Sequence, residues 1–252
     1  MNDFSISFEY NMQNNTENDI LQLPEKIAIE KGIQIVICID EFQQISDFED
    51  SKTFQKKLRS VWQLQQHVSY CLFGSKKHLM NELFEKKNLP FYKFGDAIYL
   101  AKIETKYWIE YICKRFENTG KHISPELAEE ICRLVDNHSS YVQQLSWLLW
   151  IRTINTATTE QLSYALEDLL DQNNILFQSE TENLSAYQMN FLKAIVDGIH
   201  TKFSSKEVIS KYNLGTSANI VRLKNALLQK ELIETNGKEI VLADPVFGVW
   251  FK

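Results

Sequence analysis

The stretch Ile35-Val-Ile-Cys-Ile-Asp40-Glu41 decides the fold of this chain. Its β-branched run is typical of a strand that is buried on both faces of a parallel sheet. Working outward, the pattern predicts a helix over Lys52–Gln66, a second strand over Val68–Gly74, a helix over Lys77–Phe84 and a third short strand over Ala97–Ala101. Strands that alternate with helices indicate an α/β sheet with crossover helices.

The composition describes a compact globular protein. The 252 residues are 44% hydrophobic and 24% charged, with only 8 Gly and 4 Pro, which excludes fibrous and low-complexity chains. No apolar run is long enough to span a bilayer, so no membrane partner and a cytoplasmic location are expected. The four cysteines lie far apart without a C-x-x-C spacing, so neither a zinc site nor a disulfide framework is predicted, and we interpret them as structural thiols.

The chain divides into three predicted parts. Residues 1–103 form a partial α/β domain, of which 1–19 are expected to be weakly structured, with Pro24 opening the first helix. Residues 104–180 contain only helical patterns. Residues 181–252 combine three helical patterns with the hairpin signal Asn236-Gly237, which together predict a winged helix. The predicted fold class is therefore α/β plus all-α.

Charge also separates the last part from the rest. The whole chain has a formal net charge of -6, which argues against a chain coated in basic surface. Residues 185–252, however, carry nine basic and six acidic side chains, a net charge of +3. This asymmetry indicates a C-terminal module with its own partner.

Two carboxylates at the end of the first predicted strand are the strongest candidate for chemistry. Ligands of open parallel sheets bind beyond the carboxyl ends of the strands, where Asp40 would hold Mg²⁺ and Glu41 would polarise an attacking water. This geometry suits nucleotide hydrolysis, in which Ser75, after the second strand, would contact the γ-phosphate of the nucleotide or the attacking water. The alternatives are an acidic pair that only begins a solvated loop, and a serine that only caps the following helix.

Five stretches, in order along the chain, resemble the prokaryotic AAA-type ATPases often called archaeal ATPases, within the signal-transduction NTPases. They are Leu23–Ala28, Ile35–Gln43, Phe73–Met80, Pro90–Phe94 and Asp244–Trp250. The resemblance implies a partial parallel P-loop NTPase sheet, a helical lid and a C-terminal winged helix. It implies Asp40 as the Mg²⁺ ligand, Glu41 as the catalytic base, Ser75 as a sensor of the nucleotide, and ATP and Mg²⁺ as cofactors.

The sequence departs from that family in one essential motif. A P-loop needs G-x-x-x-x-G-K-[ST], whose backbone amides cradle the phosphates, and only Gly120 and Gly237 precede a Lys, without a following Ser or Thr. The family's phosphate-binding strand and loop are expected upstream of residue 1, so this chain alone is expected to be inactive. The lid stretch Asn137–Ser140 also lacks the family's Gly-Asn-Pro or Gly-His-Pro pattern and offers no arginine sensor. Sheet edges left unpaired by a missing strand predict one of three outcomes: the N-terminal thirty residues cover an edge, the two flanking strands pair directly, or the chains associate.

The third helix of the predicted winged helix, Ser217–Lys230, could present polar side chains to DNA. The candidates are Asn219, Arg222, Asn225 and, at the hairpin tip, Lys238. Docking to protein stays equally open, because a fold does not determine its partner. The sequence therefore leaves three functions open for the chain. It could be the C-terminal part of an ATPase, a winged-helix DNA-binding protein with a vestigial α/β domain, or an interaction scaffold.

Overall fold

The computed structural model describes residues 16–252, apart from the Lys77 side chain, and divides into two compact units that meet in sequence at Tyr99 and Leu100. The first unit contains a small parallel sheet with helices, and the second is helical with one antiparallel hairpin. The predicted fold class, α/β plus all-α, is confirmed. None of the described helices is long and apolar enough to cross a membrane.

The first unit is built around two parallel strands. Its elements are α1 Glu17–Lys31, β1 Ile35–Ile39, a 3-10 helix Phe42–Asp47, α2 Ser51–Trp62, β2 Val68–Leu72 and α3 Lys77–Glu85. The strands pair in register from Ile35 opposite Val68 to Ile39 opposite Leu72. One face of this sheet packs against an aromatic core around Phe42, Trp62 and Phe91. The prediction that β1 is buried on both faces is wrong for the described residues, because Val36 on the other face is 67% exposed.

The first helix begins earlier than its proline suggested. Glu17 starts α1, and Pro24 lies inside the helix. The Asp19 carboxylate accepts hydrogen bonds from the Thr16 amide at 2.9 Å and the Thr16 hydroxyl at 2.7 Å, which holds the helix start. Weak structure was expected over 1–19; residues 1–15 lie outside the described residues, and 17–19 are helical.

The third strand predicted over Ala97–Ala101 does not form. Within residues 16–252, β1 pairs only with β2, and residues 97–101 have no strand partner. Ile98 is 85% exposed and Leu100 is 93% exposed. An apolar stretch becomes a strand only where a neighbouring strand pairs with its backbone groups. The apolar pattern of residues 97–101 alone was therefore insufficient to predict a strand.

The second unit begins with four helices, α4 Thr105–Glu117, α5 Pro125–Leu134, α6 Ser139–Arg152 and α7 Thr159–Glu182. The helical pattern of the sequence predicts a last helix over Thr159–Asn173, and α7 extends nine residues beyond that end. Its C-terminal half is held by Phe177, which is fully buried and contacts the rings of Phe247 and Trp250. Packing against the end of the chain therefore lengthens the helix.

The rest of the second unit has the order of a winged helix. It comprises α8 Ala186–Val196, α9 Lys206–Tyr212, α10 Ser217–Gln229, β3 Ile233–Asn236, β4 Glu239–Leu242 and α11 Pro245–Trp250. The hairpin loop is Gly237-Lys238, where Gly237 has a positive φ of 62° that favours glycine. A single hydrophobic core runs through α4–α11.

Candidate functional site at the carboxyl ends of the parallel strands

Backbone hydrogen bonds continue between the two chain segments after β1 and β2 end. The Phe73 amide donates to the Ile39 carbonyl at 3.0 Å, and the Phe42 amide donates to the Phe73 carbonyl at 3.0 Å. The residues that follow each strand are therefore held side by side. This brings Glu41 and Ser75 together, as expected where parallel strands end at one edge.

The backbone turns sharply at the acidic pair. Glu41 has a positive φ of 49°, which is uncommon for a residue with a side chain and marks a constrained position. Its amide donates to Asp40 Oδ1 at 2.8 Å, which stabilises the turn. The Asp40 side chain is exposed beyond the strand end, where it could hold a cation together with water.

Two side chains donate hydrogen bonds to the Glu41 carboxylate. Ser75 Oγ donates to Glu41 Oε2 at 3.3 Å, and Gln43 Nε2 donates to the same oxygen. These hydrogen bonds, from Gln43 first and Ser75 second, lower the pKa of Glu41 below its ordinary value, with a smaller contribution from the Lys76 charge. Glu41 is thus ionised at neutral pH and can accept a proton or orient a water.

Gln43 belongs to this arrangement, and sequence reasoning missed its role. Its side chain is only 2% exposed although it is polar, and it packs against Gly74. A Cβ built on Gly74 would lie 1.9 Å from Gln43 Oε1, so the glycine provides the space for the amide. The signal in the sequence was a glutamine two residues after the acidic pair and a glycine directly before Ser75.

The donor set fits Mg²⁺ better than it fits a whole nucleotide. Magnesium commonly uses one or two carboxylates and completes its coordination with water and substrate phosphates, and Asp40 can serve in this way. Among the described residues no group of three or more His, Cys, Asp or Glu side chains could hold a metal. For the phosphates of ATP, the 252-residue sequence contains no P-loop motif.

A second candidate site lies on the winged helix. A groove of about 410 Å³ is lined by three lysines, Lys202, Lys224 and Lys238, together with Asn225 and His200. Lys224 and Asn225 come from α10, Lys238 from the hairpin loop, and Lys202 from the segment before α9. The tertiary structure therefore collects basic groups that are up to 36 residues apart.

The structure places two of the four residues predicted to contact DNA in this groove and two outside its lining. Asn225 and Lys238 line the groove. Arg222 is exposed but does not line it. Asn219 Nδ2 donates to the Leu214 carbonyl at 3.1 Å, so this side chain holds the turn before α10. Sequence reasoning missed Lys202 and Lys224, because the period of the helix does not show which face the hairpin covers.

Comparison with solved structures identifies the architecture. A Walker-type ATPase of Pyrococcus abyssi matches with a TM-score of 0.72 at 16% identity, over 97% of this chain and 72% of that chain. The chain has the fold of a Walker-type ATPase. The P-loop ATPase type of fold that the resemblance to AAA-type ATPases implied is therefore confirmed.

Other comparisons are weaker or cover less of the chain. The ORC2 protein of Aeropyrum pernix matches with a TM-score of 0.48 at 12% identity, over 97% of this chain and 72% of that one. The RuvB Holliday junction branch migration motor of Thermotoga maritima gives 0.43 at 13% identity, over 90% and 72%. A family described as a probable winged helix domain matches residues 175–252. No curated protein matches the chain.

Proposed function

We propose that this chain supplies the metal-binding and water-polarising carboxylates of an ATP hydrolysis site. Asp40 would bind Mg²⁺, Glu41 would orient the attacking water, and Ser75 would contact the water or the γ-phosphate. The observation that carries the proposal is the hydrogen bond from Ser75 to an ionised Glu41 at the carboxyl edge of β1 and β2. Residues 1–103 would be the partial nucleotide-binding domain, 104–180 the lid and 181–252 the winged helix.

The 252-residue sequence contains no P-loop motif, so the first test is whether this chain binds ATP at all. Carboxylates alone cannot neutralise the charge of a triphosphate, for which a P-loop supplies backbone amides and a lysine. We expect isothermal titration of the 252-residue chain with Mg-ATP to show no binding at micromolar concentrations. Micromolar binding would mean that this chain holds phosphates by another route.

A form of the protein that includes a phosphate-binding loop tests the roles of the carboxylates. In that form, Glu41→Gln should retain bound ATP while its turnover falls by roughly 100-fold or more, since a positioned base contributes about 10²–10⁴-fold. Asp40→Ala should instead weaken Mg²⁺-dependent binding. Glu49→Gln, which changes an exposed carboxylate in the same unit, is the matched control. Unchanged turnover in Glu41→Gln would reject the assignment.

We further propose that the groove on the winged helix binds a nucleic-acid backbone. The convergence of Lys202, Lys224 and Lys238 on one groove favours this partner, because lysines clustered on one face form the electrostatic footprint of a surface that binds a nucleic-acid backbone. The net charge of +3 over 185–252 limits the affinity, so binding should be weak and strongly salt-dependent.

Fluorescence anisotropy with a labelled DNA duplex at low salt tests the groove. Lys224→Ala combined with Lys238→Ala should weaken binding and reduce the slope of log K against log salt by roughly 2, since each phosphate contact contributes about 0.9. Arg222→Ala, outside the groove, is the matched control and should bind nearly as the wild type does. Equal loss in both variants would reject the groove, and absence of all binding at low salt would favour a protein partner.

A further inference from the structure

Two cysteines lie side by side on the open face of the parallel sheet. Cys38 on β1 is the register partner of Cys71 on β2, and both are free and exposed. Along both strands the exposed positions alternate with covered ones, so these two side chains share one face with Val36 and Ser69. Adjacent strands lie roughly 4.8 Å apart, within the range of about 4.4–6.8 Å between the Cα atoms of disulfide-bonded cysteines.

The other two cysteines are in protected surroundings. Cys132 is fully buried, and burial raises the pKa of its thiol to about 11. Cys113 is half-buried, and burial, followed by the charge of Glu117, raises the pKa of its thiol. Because the thiolate is the reactive form, burial and a raised pKa make Cys113 and Cys132 less reactive. Cys38 and Cys71 are the exposed pair.

The pair can react without disturbing the core of its unit. Ile39, Tyr70 and Leu72, on the opposite face of the two strands, pack against the aromatic core, whereas Cys38 and Cys71 face away from it. A bond between their sulfurs would tie together the strands that lead to Glu41 and Ser75.

We propose that Cys38 and Cys71 form a dithiol site that small disulfide compounds, such as glutathione disulfide, oxidise to an intramolecular disulfide. One protein thiolate attacks a sulfur of glutathione disulfide, forms a mixed disulfide and releases one glutathione thiolate. The second protein thiolate then attacks the protein sulfur of that mixed disulfide and releases the second glutathione thiolate. The protein dithiol loses two electrons and two protons, and glutathione disulfide is reduced to two molecules of glutathione.

The test treats the native 252-residue chain with glutathione disulfide and analyses it by non-reducing peptide mass spectrometry. The expected result is a cross-linked peptide pair that contains Cys38 and Cys71, with two hydrogens lost and no retained glutathione, reversed by a thiol reductant. Cys38→Ser should instead retain one glutathione on Cys71, because the second thiol that completes the exchange is missing. Cys113→Ser should cross-link as the wild type does.

A displaced thiol is the matched control. Cys71→Ser combined with Ser69→Cys keeps two exposed thiols on the same face but moves one to the register partner of Val36. Their Cα atoms would then lie roughly 8 Å apart, from the strand spacing and rise, which is too far to bridge. This variant should collect glutathione adducts without a cross-link. Adducts without a cross-link in the wild type, an equal cross-link in the displaced variant, or no reaction at either cysteine would overturn the proposal.

Discussion

Asp244 should be among the most sensitive single positions for the stability of the second unit. Asp244 Oδ1 accepts hydrogen bonds from the Val246 amide at 2.7 Å and the Phe247 amide at 3.0 Å, and so caps α11. Asp244 Oδ2 accepts from the Tyr141 hydroxyl on α6. Burial, followed by Asp244, raises the pKa of Tyr141 well above its ordinary value, so the hydroxyl remains a donor.

The expected cost of Asp244→Ala is the sum of two losses. Losing an N-cap costs about 1 kcal/mol, and the Tyr141 hydroxyl, on a side chain only 8% exposed, loses its partner at a cost of about 1–3 kcal/mol. We therefore expect a destabilisation of about 2–4 kcal/mol, which corresponds to a fall in Tm of roughly 5–15 °C for a chain of this size.

Urea unfolding followed by circular dichroism measures this cost, and a double-mutant cycle with Tyr141→Phe isolates the pair. In the Tyr141→Phe background, Asp244→Ala should cost less, because no hydroxyl is left unpaired; the coupling should be about 1–3 kcal/mol. Asp244→Asn keeps an oxygen for the cap and should cost less than Asp244→Ala. An Asp244→Ala variant within about 0.5 kcal/mol of the wild type, or strictly additive single variants, would refute the reasoning.

Three further predictions concern single side chains. Burial, and then the Asp244 charge, raises the pKa of Glu180 in the folded protein. The folded protein therefore has its full stability while Glu180 is protonated, below the ordinary carboxyl pKa, and loses part of it as pH rises through the raised pKa. Glu180→Gln, which stays neutral, should raise Tm near neutral pH and lose that advantage near pH 4. Gly74→Ala should displace the Gln43 amide and return the pKa of Glu41 toward its ordinary value in a carboxyl NMR titration, whereas Gly95→Ala, where an added Cβ meets nothing within 4 Å, should not. Phe177→Ala, at a fully buried ring, should cost about 3–5 kcal/mol in urea unfolding, and a loss below about 1 kcal/mol would show that α7 does not depend on this contact.

Local sequence patterns predicted the elements whose signals are contained within a few neighbouring residues. The β-branched run became β1. A serine followed by a proline predicts a helix start, and Ser124-Pro125 begins α5, with Ser124 Oγ accepting from the Leu127 amide at 3.2 Å. Gly237 supplies the positive φ that the hairpin loop requires. The capping and loop signals act through backbone dihedral preferences and hydrogen bonds within a few residues, whereas the β-branched run became a strand because β2 pairs with it. The placement of Glu41 and Ser75 at one edge also followed from the general geometry of parallel strands.

Only the tertiary structure decided which distant residues meet. The stretch Ala97–Ala101 has the pattern of a strand but no strand partner in residues 16–252. Lys202 and Lys224 join Lys238 because the hairpin folds over α10, and Cys38 faces Cys71 because the register pairs them. The periodicity of a sequence shows which side of a helix or strand is apolar. Contacts between elements depend instead on strand register and on packing over the whole domain. The basic groove and the thiol pair could therefore be identified only from the tertiary structure.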